Sequence, residues 1–322
     1  MNESHQNWNV ETLWEQLLPL LPGISIEVLA RTDSTNTALL ERVRSESRSG
    51  APQAYGRRAH DMQPCLLVAE HQTHGRGRMG RAWLSSPGSS LTFSLALSLQ
   101  PGDWSGLSLA VGCAIAEALE PSASLAAGAK PRLTLKWPND LWLDERKLGG
   151  ILIETVPAGD RRMAVIGVGL NIKELVLGKD DPDHADGAKQ DSAGGPISPI
   201  NPISPFNTGF AALTELRPGC SGPEALALIA PALVQCLLDF EQQGFAAWAS
   251  AYAKRDLTLD RLVTAGATEG ISEGISAQGE LQIRTRDGQL QIISGGEVSV
   301  RLASDPQSQP LSELQTELQA TD

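Results

Sequence analysis

Residues 91–99 read Leu-Thr-Phe-Ser-Leu-Ala-Leu-Ser-Leu, a run in which apolar and small or polar side chains alternate without a break. A helix, with its period of 3.6, cannot keep Leu91, Phe93, Leu95, Leu97 and Leu99 on one face. A strand, with its period of 2, does so of necessity. The reading is a half-buried strand. Residues 162–172 repeat the pattern, with Ala164, Ile166, Val168, Leu170 and Ile172 set against Val165, Gly167, Gly169 and Asn171. Further strands are expected at 65–70, 132–137 and 148–156. Several of these follow one another with no helix between them, which favours an α+β mixed sheet with flanking helices over a strict βαβ series.

The helices are legible by the same test. Residues 34–48 carry Leu39, Leu40 and Val43 on one face, with Asp33 or Ser34 as the N-cap. Residues 105–120 place Leu107, Ala110, Val111, Ala114, Ile115, Ala118 and Leu119 at helical spacing. Gly222 to Gln243 and Phe245 to Lys254 are expected as two more helices. Residues 49–64 look like a Gly-, Pro- and Arg-bearing loop. Residues 173–207, dense in Asp, Gly, Pro and Ser, read as an irregular surface insertion. After Asp256 short β-rich pieces alternate with glycines, and Asp287-Gly288 between two Leu-Gln-Ile triplets signals a hairpin. We therefore expect a large domain over 1–255, a small barrel of about five strands over 256–303, and a polar tail over 304–322 with no reason to be ordered.

Composition narrows the function. The chain has 322 residues, of which 41% are hydrophobic, enough for one large core and a small one. No apolar stretch is read as crossing a membrane, and the polar, acidic start is unlike a secretory leader. Both point to the cytoplasm. The four cysteines, Cys65, Cys113, Cys220 and Cys236, form no C-x-x-C pair and read as reduced, mostly buried thiols. No histidine pattern suggests a metal ligand set. A net charge of −12 argues against DNA as the main partner, because binding a polyanion needs several Lys/Arg–phosphate contacts.

Three clusters carry chemistry. In the first, residues 70–83, Gly75, Gly77 and Gly80 satisfy G-x-G-x-x-G, but no helix follows them, so a dinucleotide site is not indicated. The informative residues are Arg76, Arg78 and Arg81. Three like charges in one glycine-bearing loop repel unless an anion or solvent separates them, and guanidinium groups suit carboxylate and phosphate. In the second, residues 136–154, a hairpin brings Lys136, Asp140 and Lys147 toward one rim, with Asn139-Asp140 as its turn. The third is the strand end Gly167 to Ile172. Taken singly, each admits a plainer account: an exposed basic loop, a solvated hairpin tip, a glycine-bearing buried strand.

The order and spacing of the three clusters, with the Asp-Ser-Thr-Asn of residues 33–36, resemble the biotin protein ligase family. The Gly-Gly-Glu of residues 295–297 and the β-rich end are similar to that family's C-terminal domain. The resemblance implies a class II synthetase-like catalytic domain and an SH3-like barrel. It implies biotin contacts from Ser34, Thr35, Asn36, Gln72, Gly75, Arg76, Gly77, Arg78 and Lys147. Nucleotide contacts would come from Arg76, Arg78, Arg81, Trp83, Lys136, Asn139, Asp140 and Asn171, with Lys147, Arg78 and Asp140 as the catalytic groups. Biotin and ATP would be substrates, Mg²⁺ would accompany the ATP phosphates with no certain protein ligand set, and the acceptor would be a biotin carboxyl carrier protein. The family's repressor members carry a longer helix-turn-helix segment ahead of this motif than the 32 residues present here. A form without DNA binding is therefore expected, with a homodimer left open. The rival readings are a lipoate or octanoate ligase or transferase of the same fold, and a biotin-sensing regulator of transcription.

Overall fold

A computed structural model of the protein describes residues 6–48, 63–158, 161–174, 209–295 and 300–302. Most of the 49–64 loop, nearly all of the 173–207 insertion, Gly296-Glu297 and the 304–322 tail lie outside these residues.

The chain opens with a helix, α1 (Val10–Leu17), and a strand, β1 (Ser25–Thr32). Neither was foreseen from the sequence. The predicted helix follows as α2 (Thr35–Arg48), so the cap is Ser34, whose Oγ accepts from the Thr37 amide at 3.4 Å. β2 (Cys65–Gln72) then runs parallel to β1. A short hairpin of β3 (Gly75–Arg76) and β4 (Ala82–Trp83) leads into β5 (Ser90–Ser98). After α3 (Leu107–Leu119) come four antiparallel strands: β6 (Leu133–Lys136), β7 (Asp140–Leu143), β8 (Arg146–Ala158) and β9 (Arg161–Asn171). They complete a seven-stranded mixed sheet in the order β1-β2-β5-β9-β8-β7-β6.

Both faces of this sheet are covered, which corrects the half-buried reading of residues 91–99: seven of the eight residues from Ser90 to Leu97 are apolar or small, and all eight are buried. The period-2 pattern nevertheless separates two environments. Leu91, Phe93, Leu95 and Leu97 of β5 join Ala164, Ile166, Val168 and Leu170 of β9 in the main core beneath α3 and α4 (Gly222–Gln243). On the opposite face Ala96, Met163, Val165 and Val156 pack against Leu39, Leu40 and Val43 of α2. Thr92, Ser94, Gly167, Gly169 and Asn171 share that second face, where they have polar work to do.

α4 is long and apolar enough to span a membrane by length and composition alone. Its apolar stripe, Leu226, Ile229, Leu233, Leu237 and Phe240, is instead part of the protein core. Ser221 and Glu224 form a capping box at its start. The helix expected from Phe245 to Lys254 is divided: a 3₁₀ turn over Phe245–Ala247, then α5 (Ala249–Ala253).

The C-terminal strands are β10 (Leu262–Ala265), β11 (Thr268–Ile275), β12 (Leu281–Arg284), β13 (Leu290–Ile293) and β14 (Val300–Leu302). They form one antiparallel sheet in the order β13-β12-β11-β10-β14, with five strands as expected. Arg284 pairs with Leu290 across the predicted hairpin, and Gly288 supplies the positive φ of 80° that its turn requires. Arg255 fastens the segment between α5 and β10 to the end of α3 and to β6. It is buried, and its guanidinium bonds Glu120 Oε2 and the Leu133 carbonyl, each at 2.9 Å. Losing one member of such a pair costs about 3–5 kcal/mol, because the other charge is left buried alone. All four cysteines are free and buried, as expected.

Candidate active site

A cavity of about 660 Å³ opens on the α2 face of the large sheet, toward the end where β6, β7 and β8 meet the C-terminal strands. Its lining includes every residue expected in the site except Gly75. Gly75 lies behind the wall, paired with Trp83, and any side chain there would strike the Trp83 carbonyl. It shapes the loop and does not line the cavity.

One wall is neutral and polar. The N-terminus of α2 directs Thr35 and Asn36 at the sheet. Gln72 Oε1 accepts from the Thr35 amide at 2.8 Å and from Thr35 Oγ1 at 3.1 Å. Ser94 Oγ lies 2.6 Å from both Thr35 Oγ1 and Asn36 Oδ1. Asn36 Nδ2 donates to the Leu152 carbonyl and to Glu154 Oε2. The orientation of the Gln72 amide is thereby settled: its oxygen is occupied by Thr35, and its NH₂ is the group left for a ligand. Ser34, Thr35, Asn36, Gln72 and Ser94 are all buried. Gly167 exists for this wall, since a methyl group there would overlap Asn36 Oδ1.

The facing wall is cationic. The β6–β7 turn, residues 137–139, is one residue earlier than the Asn139-Asp140 turn expected, and Asp140 already pairs with Lys136 across the strands. The β7–β8 turn needs Asp144 and Glu145 at φ of 46° and 61°, the left-handed conformation of a tight two-residue hairpin. Lys147 Nζ then reaches Asp140 Oδ1 at 2.8 Å. Lys136 is more enclosed than a rim position implies. It is buried with its ammonium 4.9 Å from the Trp142 ring centroid, and burial pushes its pKa down to about 8 against the pull of Asp140.

The arginine loop does not rely on a bound anion to separate its charges, as the sequence suggested. Arg76 Nη2 donates to Glu154 Oε2 at 2.6 Å, an acid 78 positions along the chain. Arg78 Nη2 donates to the Gly295 carbonyl at 2.7 Å, so the small sheet closes one side of the cavity. Burial also holds the Arg78 pKa below its ordinary value. Arg81 and Trp83 line the cavity, the Trp83 ring lying flat against Gly169.

Two expected contacts are more restricted than the sequence implied. Asn139 is engaged on both sides, accepting from Arg78 at 3.4 Å and donating to the Ile151 carbonyl at 2.7 Å. Asn171 gives its amide hydrogens to the Lys147 and Ala211 carbonyls, leaving Oδ1 as its free atom. Residues that the sequence did not nominate also line the cavity, notably Phe210, Val300 and Arg301. They belong to no motif, and only the tertiary fold brings them here. Among the described residues no cluster of three or more Asp, Glu, His or Cys could hold a metal ion.

Similarity to known proteins runs through both sheets. Residues 28–171 match the biotin/lipoate A/B protein ligase family, and residues 261–301 match the biotin protein ligase C-terminal domain. The biotin--[acetyl-CoA-carboxylase] ligase of Paracoccus denitrificans is 33% identical over 84% of this chain and 98% of its own length. The bifunctional ligase/repressor BirA of Escherichia coli is 34% identical over 90% of this chain and 78% of its own. Among solved structures, the Aquifex aeolicus biotin protein ligase in complex with biotin and ATP aligns with a TM-score of 0.59 at 26% identity, covering 86% of this chain and 99% of that one. The two matched domains, the near full-length relatives and the shared architecture lead to one conclusion: the chain belongs to the biotin protein ligase family.

Proposed function

We propose that this chain condenses biotin with ATP to biotinyl-5'-AMP and pyrophosphate, then transfers the biotinyl group to a lysine of a biotin carboxyl carrier protein, releasing AMP. The observation that carries the reading is one cavity with a neutral hydrogen-bonding wall at Thr35, Asn36 and Gln72, backed by Ser94, and a cationic wall at Arg76, Arg78, Lys136 and Lys147. A ureido ring matches the first wall and a carboxylate beside phosphates matches the second. The Aquifex aeolicus relative was solved with biotin and ATP, which supports the same pairing of ligands.

The chemistry follows from charge. Biotin's carboxylate is ionised at neutral pH, so attack on the α-phosphorus needs no general base. A new O–P bond forms as the bond to pyrophosphate breaks, and both partners are anionic. What the step needs is neutralisation and alignment. Lys147 and Arg78 supply charge at the junction, Arg76 holds the carboxylate, and Lys136 and Arg81 face the phosphates. Ser34 supports the head-group wall by capping α2, and Gly77 lets the loop backbone approach the ligand. Trp83 and Asn171 Oδ1 border the nucleoside. Asp140 fits Mg²⁺ only as a single carboxylate beside a triphosphate that brings the ion with it, as is usual for nucleotide sites; the ion would add positive charge there.

In the second step the carrier lysine attacks the acyl carbon and the bond to AMP breaks. That lysine, ordinarily protonated with a pKa of about 10.4, must lose a proton, and Asp140 is the carboxylate we assign to accept it. Enclosure by the arginine loop and the Gly295 turn keeps water from the mixed anhydride. A lipoate or octanoate substrate would leave the neutral polar wall unsatisfied against an alkyl chain. A net charge of −12 disfavours DNA as a partner and a cytoplasmic location suits a carrier-protein substrate. The test is incubation with biotin and alpha-labelled ATP without any carrier: labelled biotinyl-adenylate should form together with pyrophosphate. No adenylate with biotin but an adenylate when octanoate or lipoate replaces it, or ADP as product, would overturn the reading.

A further inference from the structure

We infer that Glu154 is a positioning residue for Arg76, fastening the arginine loop to the head-group wall so that one hydrogen-bonded chain runs from Ser94 to the carboxylate end of the cavity. The inference rests on the reading of Arg76 as a contact for the biotin carboxylate.

Glu154 lies on β8 beyond the part paired with β7, which ends at Gly150. Its alternation places it with Leu152 and Val156 on the α2 face. A single oxygen, Oε2, receives both Asn36 Nδ2 at 3.0 Å and Arg76 Nη2 at 2.6 Å. Asn36 Oδ1 in turn meets Ser94 Oγ at 2.6 Å, and Ser94 meets Thr35. An ionised carboxylate only accepts, so it fixes which way the Asn36 amide faces, and with it the donor and acceptor pattern of the wall. The same oxygen occupies one edge of the Arg76 guanidinium. The remaining N–H groups of that planar fork are left at a set angle for a second anion. Glu154 is therefore the acid that lets Arg76 stand beside Arg78 and Arg81 before any ligand arrives. Its side chain is 28% exposed and that of Arg76 is 43% exposed, so the contact holds the loop without locking it.

The two tasks of Glu154 can be separated. In Glu154→Gln the amide oxygen can still accept from Asn36, while the charge that holds Arg76 is gone. Biotin affinity, measured by calorimetry without ATP, should fall by about five-fold, the scale of a partly exposed ion pair. The single-turnover rate of adenylation at saturating biotin should stay within about two-fold of wild type. Glu154→Asp, which keeps the charge on a shorter arm, should recover part of the affinity. The decisive measurement is the double-mutant cycle with Arg76→Gln. Arg76→Gln should weaken biotin binding in the wild-type background and cost markedly less in the Glu154→Gln background. If both substitutions weaken binding and their effects simply multiply, Glu154 does not act through Arg76 and the inference fails while the reading of the site stands. If Arg76→Gln alone leaves biotin affinity unchanged, the reading of Arg76 falls and the inference with it.

Discussion

Lys147 Nζ lies 2.8 Å from Asp140 Oδ1, so the cation and the carboxylate assigned to the two half-reactions neutralise each other within the cavity. A carboxylate and a phosphate entering the site compete with Asp140 for the ammonium. In the proposed mechanism their arrival would draw Lys147 to the reacting atoms and free Asp140 as an acceptor. One ion pair thereby links the first step to the second.

Lys147→Ala removes the cation proposed to face the forming O–P bond. Single-turnover adenylation should fall by about a hundred-fold or more, the scale of one contact made to developing charge. Lys147→Arg should recover only part of this, because a planar fork cannot occupy the place of a compact ammonium 2.8 Å from Asp140. Near wild-type adenylation by the alanine variant would exclude Lys147 from the chemistry.

Asp140→Asn should slow transfer to the carrier lysine more than it slows adenylation. An amide can still accept from Lys147 but cannot take up a proton. Rapid-quench measurement of each half-reaction checks this. Equal loss in both would mean that Asp140 serves the phosphates and not the amine.

Lys136 gives a pH dependence with a definite sign. Burial is the main cause that lowers its pKa from 10.5 to about 8, with Lys147, Arg81 and Arg301 adding to the effect and Asp140 opposing it. The charged form, the one proposed to bind phosphate, therefore dwindles above about pH 8. The dissociation constant for ATP should rise by up to about ten-fold per pH unit there, and Lys136→Arg should flatten the rise. Stability of the free protein moves the other way. The folded state binds fewer protons than the unfolded state between about pH 8 and 10.5, so this group's contribution to stability increases across that interval. ATP affinity that is flat to pH 9 in the wild type would rule out a charged contact from Lys136.

Gly167 and Gly169 should report on the two walls separately. A methyl group at Gly167 would overlap Asn36 Oδ1, and one at Gly169 would overlap the Trp83 indole. Each alanine substitution should destabilise the fold by about 1–3 kcal/mol, the usual cost of overpacking. Gly167→Ala should chiefly raise KM for biotin and Gly169→Ala chiefly KM for ATP. Thermal melts with steady-state kinetics check both, and identical effects on the two substrates would contradict the division of the cavity.

The framework was legible in the sequence where one physical signal dominates. β5 and β9 were readable because their alternation is uninterrupted, and α4 because its apolar residues recur at helical spacing. β1 was not, since it is an edge strand whose Glu27, Arg31 and Thr32 blur the pattern. The covered second face of β5 was missed because Thr92 and Ser94 look like solvent-facing residues. They are polar for a different reason: Thr92 bonds the Ala69 carbonyl and Ser94 the start of α2. Local motifs also nominated most of the cavity lining. They could not nominate Phe210 or Arg301, whose places depend on pairings far apart in the chain, nor the partners of Glu154 at the end of the second cluster, nor the one-residue difference at the β6–β7 turn.

The central claim is that this cavity joins biotin to a protein lysine at the expense of ATP. The direct measurement is the mass of a biotin carboxyl carrier domain after incubation with the purified protein, biotin, Mg²⁺ and ATP, with the nucleotide products separated alongside. One biotinyl addition on the carrier lysine and one AMP per addition are expected, both abolished when ATP is omitted. An unmodified carrier, equal labelling without ATP, or ADP in place of AMP would contradict it.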